Sequence, residues 1–405
     1  MFNVSFPEVN SKIIAVKLSV AGERSVRNHH PWIFSESIEK INKRGDSGDL
    51  AIIFSHTKNK AMGVGLYDPQ SPIRIKMIHF DGGATIDSSF FSKKIRASFS
   101  LRKELLKTQT NSYRLLFGEN DGFPGLIADV YSDVLVVKLY SAIWFPFFEP
   151  LVKSLIEVSR CHCAVLRLSR ILQQTETFGL MDGTILYGKL HEENVPFIEH
   201  GVHFSANVIK GHKTGFFMDH RANRKRVGEL CKGMKVLDVF SYAGGFSVHA
   251  LTKGAKEVTS LDISKQALSL AVANGKLNSH TGIHNIIAGD TFVEMQRLIS
   301  ENKKYNVVVI DPPSFAKSVK EVIKAKKKYA QLARLGVQLT AGNGMLVLAS
   351  CSSRVNAKEF FRINKEAIKS TGRKFVLEKK TYHDIDHPIS FPEGGYLKCG
   401  YYRLE

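Results

Sequence analysis

A chain of 405 residues is long enough for two or three domains, each with its own core. An apolar share of 43% and a charged share of 23% exclude a disordered chain and a membrane-embedded one. Lys and Arg total 57 against 38 Asp and Glu, and the resulting +19 favours a polyanionic partner such as nucleic acid, by release of counterions. No stretch approaches the roughly 18 apolar residues of a membrane span, and Met1–Pro7 lacks the basic and apolar regions of a secretory leader. The five cysteines, Cys161, Cys163, Cys231, Cys351 and Cys399, are odd in number and irregularly spaced. Reduced thiols in a cytoplasmic protein are therefore expected, without a disulfide framework. Cys161-His-Cys163 has no second ligand pair, so no metal is expected there.

From residue 12 to about 80 the pattern predicts short strands, at 13–18, 49–54, 61–66 and 73–78, with Gly, Asp, Pro and Asn between them. A small β-barrel or sandwich follows from that spacing. With His29-His-Pro-Trp-Ile-Phe34 and Asp46-Ser-Gly-Asp49, the segment resembles a PUA domain, a compact barrel used on structured RNA. Asp81-Gly-Gly-Ala-Thr85 reads as a hinge. From Ser88 the apolar residues Phe90, Phe91, Ile95, Phe99 and Leu105 predict a helix. The segment 114–129, with its Asn-Asp-Gly and Phe-Pro-Gly turns, leads into a strand at 134–139. Residues 88–192 are expected to form an α+β module without a catalytic motif.

The rest of the chain is organised around Lys235-Val-Leu-Asp-Val-Phe-Ser-Tyr-Ala-Gly-Gly-Phe246 and Glu257-Val-Thr-Ser-Leu-Asp262. This is strand, small-residue turn, helix, strand, acid: the nucleotide half-site of a doubly wound sheet. The turn lacks the spaced Gly-x-Gly-x-x-Gly of a pyrophosphate binder, and Asp238 on the first strand repels phosphate. An acid there suits the ammonium of an amino-acid-bearing cofactor, and Asp262 suits a ribose diol. S-adenosylmethionine is the cofactor this predicts; an ordinary βα turn of another α/β enzyme is the blander reading. A helix at 264–278 and strands at 285–290, 305–310 and 344–350 continue the alternation. Parallel strands buried on both faces have this composition, and ligands bind beyond their carboxyl ends. Asp238, Asp262, Asp290, Asp311 and Cys351 all fall there.

In Asp311-Pro-Pro-Ser-Phe315 the prolines stiffen a loop that holds one acid at a strand tip, where a planar base can meet it. Cys351 decides between chemistries. Cytosine C5 takes a methyl group only after a thiolate has added at C6, whereas methylating a purine nitrogen needs no cysteine. Facing an Asp-Pro-Pro loop, Cys351 is read as that nucleophile, against the ordinary reading of a small core residue. Lys324-Ala-Lys-Lys-Lys328 is either a solvated helix face or a contact with an RNA backbone.

Together these motifs, with His212-Lys-Thr-Gly-Phe-Phe217, Ser350-Cys-Ser352 and the tail 386–398, resemble the bacterial large-subunit rRNA cytosine-C5 methyltransferases with an N-terminal PUA domain. The resemblance implies a class I, Rossmann-like α/β methyltransferase domain at 195–405, behind a PUA barrel at 1–80 and a central α+β domain at 88–192. It implies cofactor contacts by Phe217, Asp219, Arg221, Asp238, Ser241, Tyr242, Gly244, Asp262, Asp290 and Asp311, with Asp219 and Arg221 closing the pocket. Catalysis would fall to Cys351 and Asp311, and the partner would be rRNA, with a homodimer left open. Two residues depart from the family pattern: Ser314 replaces a frequent Lys, and Gly275 interrupts a helix at a cost of about 1 kcal/mol. An rRNA guanine-N methyltransferase and an RNA-binding assembly factor with a vestigial site are the alternatives.

Overall fold

The computed structural model describes residues 2–56, 59–316 and 318–405. Two compact units emerge. The first comprises residues 1–198, 205–218 and 385–394; the second comprises 199–204, 219–384 and 395–405.

In the first unit, β1 (Ile13–Leu18), β2 (Trp32–Phe34), β3 (Ile38–Ile41), β4 (Leu50–Phe54), β5 (Ala61–Tyr67) and β6 (Ile73–Phe80) form one sheet. Their order is β2-β6-β5-β4-β1-β3. The four strands expected from alternation are all present. The helix α1 (Val20–Arg27) escaped it, as did the short β2 and β3, whose runs of three and four residues carry too little period to read. Next come α2 (Ser88–Leu106), β7 (Ser112–Phe117), β8 (Leu126–Tyr131), β9 (Val134–Leu139), α3 (Phe148–Ser159), β10 (Cys163–Leu168) and β11 (Ile185–Gly188). These strands make a second sheet, β11-β10-β9-β8-β7.

The two sheets share a core. Val64, Leu66 and Ile78 of the first pack in one cluster with Phe91, Phe123, Trp144 and Leu166. The 114–129 segment is held by buried ion pairs rather than by its turns alone. Arg102 donates to both oxygens of Asp121 at 3.0 and 2.6 Å, and Arg114 donates to both of Asp129 at 2.8 Å. Asp386 accepts from the Arg114 amide at 2.9 Å, which ties the 385–394 segment to this unit.

A hairpin, β12 (Asn194–Glu199) and β13 (Val202–Asn207), precedes α4 (Arg221–Glu229). The second unit then alternates β14 (Lys235–Val239), α5 (Gly245–Thr252), β15 (Glu257–Asp262), α6 (Lys265–Lys276), β16 (Ile283–Ala288), α7 (Thr291–Ser300), β17 (Tyr305–Ile310), α8 (Val322–Leu339), β18 (Thr340–Ser350), α9 (Ala357–Lys369), β19 (Phe375–Thr381) and β20 (Lys398–Leu404). The sheet order is β16-β15-β14-β17-β18-β20-β19; the first five strands run parallel and β20 is antiparallel to both neighbours. The order reverses at β14, so a crevice opens between the carboxyl ends of β14 and β17. Helix α5 is buried nearly all round, and β14, β17 and β18 read as continuous apolar runs because both of their faces are covered. The third predicted strand differs. β16 is an edge strand, ends at Ala288 and exposes Ile283 and Ile286, so burial on both faces does not hold there.

Gly275 has a packing reason. A Cβ at that position would stand 3.3 Å from His284 Nδ1, so the glycine lets α6 close on β16.

Candidate active site

The second unit brings four of the predicted residues to one sheet edge. Asp238 lies next to the end of β14, Asp262 ends β15, and Asp311 and Cys351 directly follow β17 and β18. Lys398 joins them because β20 is antiparallel: its first residue pairs with Ser350, the last of β18.

The turn after β14 is strained. Phe240, Tyr242 and Gly244 all have positive φ, at 64°, 47° and 78°. Two of these are not glycine, and such backbone persists only where the surroundings enforce it. A Cβ at Gly244 would stand 2.7 Å from the Ala271 Cβ, so α6 packs directly against the turn. Asp262 Oδ2 accepts from the Tyr242 amide at 2.9 Å, and Oδ1 accepts from the Ser264 amide at 2.9 Å. These bonds fix the carboxylate at the strand tip. Ile263 beside it is 71% exposed, an apolar surface next to a polar anchor.

Asp238 is buried, and its Oδ2 accepts from the backbone amide of Ser247 at 3.0 Å and from its hydroxyl at 2.7 Å. Its Oδ1 has no hydrogen-bond partner among the described residues, and neither has the buried Ser241 Oγ. Burial, only partly offset by the Ser247 bonds, pushes the Asp238 carboxyl up to about 7. An unmatched buried carboxylate oxygen costs on the order of 1–3 kcal/mol, so this edge is suited to a ligand that brings a cationic donor. An amino-acid-bearing cofactor meets that requirement; phosphate does not.

Asp290 is the N-cap of α7 and is exposed; its Oδ1 accepts from the Phe292 and Val293 amides at 3.0 and 3.1 Å. Asp219 accepts from the Tyr396 hydroxyl at 2.9 Å. Arg221 is fully buried, with Nη1 3.2 Å from Asp384 and Nε 3.8 Å from Glu199. Its guanidinium is therefore engaged by carboxylates of this unit. Phe217 belongs to the first unit and is 38% exposed.

Cys351 alone among the five cysteines is not fully buried, and its Sγ lies 3.9 Å from the Pro312 carbonyl oxygen. Burial pushes its thiol up to about 12, with the charges of Asp311 and Asp219 adding to the rise and Lys398 opposing it. Lys398 is itself buried, donating to the Ser352 carbonyl and, at 3.0 Å, to that of Tyr396. Burial pushes its amine down to about 8. No ion-pair partner for Lys398 exists among the described residues.

His220 is the second residue that sequence reasoning passed over. Its Nε2 lies 3.3 Å from Asp311 Oδ1, and the ring is buried. Neither residue carried a local signal: Lys398 follows Cys351 by 47 positions and His220 precedes Asp311 by 91. Only the sheet order joins them. Ser314 faces its own loop, 3.5 Å from the Ala316 carbonyl. The basic run lies on α8 as expected; Lys326 pairs with Glu359 at 2.6 Å, and Lys328 stands 4.8 Å over the Phe315 ring.

A family model of S-adenosylmethionine-dependent methyltransferases matches residues 121–394, and one of PUA-like domains matches 16–80. A ribosomal RNA large subunit methyltransferase of Deinococcus radiodurans is 37% identical over 99% of this chain and 100% of its own. Ribosomal RNA large subunit methyltransferase I of Aeromonas salmonicida is 34% identical over 93% and 96%. A crystal structure assigned as a methyltransferase and complexed with SAH shares the fold, with a TM-score of 0.82 at 21% identity, over 97% of this chain and 100% of that one. No helix among the described residues is long and apolar enough to cross a membrane. The unmatched acceptors at the β14 edge, the family match over most of the chain and the full-length relatives agree: this chain belongs to the S-adenosylmethionine-dependent methyltransferase family that includes the ribosomal RNA large subunit methyltransferases, and it carries a PUA-like domain at residues 16–80.

Proposed function

We propose that the protein methylates C5 of a cytosine in large-subunit rRNA in the cytoplasm, with Cys351 as the nucleophile. The observation that carries this reading is the placement of Cys351, the one cysteine not fully buried, with its Sγ against the Pro312 carbonyl of the Asp-Pro-Pro loop. The net charge of +19 and the PUA-like match support an RNA substrate. In this reading the segments 1–80 and 88–192 hold rRNA, and 195–405 carries the chemistry.

S-adenosylmethionine supplies an electrophilic methyl group. Asp238 and Ser241 would hold its amino-acid end, Asp262 its ribose hydroxyls, and the turn through Tyr242 and Gly244 its backbone-facing side. Asp290, Asp219 and Arg221 complete the set within the second unit, Arg221 through the position it gives α4. The Cys351 thiolate adds to C6, which moves the C5–C6 π electrons onto C5. N3 takes up a proton as the thiolate adds, and Asp311 at that edge of the ring hydrogen-bonds the N3–H, which favours the addition. After C5 has taken the methyl group it loses its proton to water, N3 releases the proton it had taken up, the C5–C6 double bond re-forms, and the C6–S bond breaks to return the thiolate. Lys398 favours the thiolate by its charge.

The cofactor half of the reading is tested by Asp262→Ala, which should weaken S-adenosylmethionine binding about 10-fold or more in calorimetry, because two ribose hydroxyls lose their acceptor. An unchanged affinity in the folded variant removes Asp262 from the site. The product is tested by methylating large-subunit rRNA from a deletion strain with labelled cofactor and digesting it to nucleosides. Label in 5-methylcytidine is expected. Label in an N-methylguanosine would establish the alternative, which the raised thiol of Cys351 favours and for which that residue is idle.

A further inference from the structure

His220 stands immediately before α4, 4% exposed, between Asp219 and Arg221. Its ring is clamped on two sides. Nδ1 lies 3.1 Å from the side-chain nitrogen of Asn223, whose oxygen accepts from Thr381 at 2.6 Å and from the Tyr401 hydroxyl at 2.9 Å. The Phe246 ring covers it edge-on at 5.5 Å. With Nδ1 turned to Asn223, Nε2 is left pointing at Asp311 Oδ1, 3.3 Å away, an ion-pair approach that lacks the alignment of a good hydrogen bond.

We propose that His220 is a positioning residue for methyl transfer: its Nε2 holds one oxygen of Asp311 and leaves the other turned to the target base. Asp311 is the first residue after β17, so its backbone is fixed by the sheet while its side chain has two free torsions. A buried ring nitrogen 3.3 Å from Oδ1 restricts that freedom, and groups held near their reacting geometry are worth orders of magnitude in rate. The surrounding charges support the arrangement. Burial alone would lower the imidazole's pKa, but Asp311 and Asp219 outweigh it and Arg224 opposes them, so the ring's proton is held more firmly than usual. The inference rests on the assignment of Asp311 to the base-contacting loop and holds whether the base is cytosine or guanine.

Three variants and one spectrum test it. His220→Leu keeps the volume and loses the donor; it should lower kcat about 10- to 100-fold while the KM for S-adenosylmethionine stays within about twofold. His220→Gln keeps a side-chain N–H and should recover most of the loss. If Leu works as well as Gln, the residue only fills space and the proposal is wrong. In 15N-histidine spectra, the resonance missing from His220→Gln should titrate at lower pH in Asp311→Asn than in the wild type. An unmoved titration shows that the two side chains are uncoupled, which also overturns the proposal. This spectrum does not depend on which base is methylated, so its outcome is separate from that of the labelled-nucleoside test of the product.

Discussion

Cys351→Ala should abolish methylation while leaving cofactor and RNA affinities within about twofold of the wild type, because only the bond to C6 is lost. The side chain is partly exposed at the end of β18, so truncation removes little core packing and the variant should fold. RNA carrying 5-fluorocytosine at the target separates this mechanism from direct transfer. Fluorine cannot leave C5 as a proton does, so the wild type should accumulate a covalent adduct that survives denaturing electrophoresis. Cys351→Ala should form none. Because the base has to reach a thiol at the sheet edge, an unpaired or extruded nucleotide should react best. Turnover of Cys351→Ala at the wild-type rate would assign the chemistry to a nitrogen and leave the cysteine without a role.

The second large effect is on stability, and it falls on Glu199. This carboxylate is fully buried and takes a bidentate pair from Arg224 at 2.7 and 2.6 Å, with His249 Nε2 at 2.9 Å and Arg221 at 3.8 Å. Replacing it by Gln leaves a buried guanidinium facing a neutral group. A loss of about 3–5 kcal/mol is expected, or a fall in Tm on the order of 10 °C by circular dichroism. Burial would raise the Glu199 pKa, but Arg224 and His249 hold it well below the ordinary glutamate range. A depressed carboxylate contributes stability above its unfolded pKa and loses it as pH falls through the folded one. The gap between wild type and Glu199→Gln should therefore narrow on acidification below about pH 4.5. A gap under about 1 kcal/mol at pH 7 would show that the network is not what anchors α4. Because Asp219 and His220 immediately precede α4, any such loosening should also reach the site.

Much of the architecture was legible in the chain because the signal is local. Strands buried on both faces are runs of Val, Ile and Leu, as at 305–310 and 344–350, and the turn after Asp238 is marked by small residues. Strand tips could be named as a candidate site before any coordinates, since every parallel strand of one sheet ends at the same edge. The tertiary structure decided the rest, where the relevant separation is spatial. Lys398 comes beside Ser350 because β20 runs antiparallel to β18, and a sequence does not show how a last strand inserts. His220 meets Asp311 across 91 residues, and the three carboxylate partners of Arg102, Arg114 and Arg224 lie 15 to 25 positions away from them. The first 80 residues are also less separate than their composition reads. Val64 and Leu66 bury themselves against Phe91 and Trp144, because a sheet with an apolar face packs on whatever apolar surface the chain brings to it. Alternation along a strand records that a face is buried; which residues bury it is settled only by the packing of the folded chain.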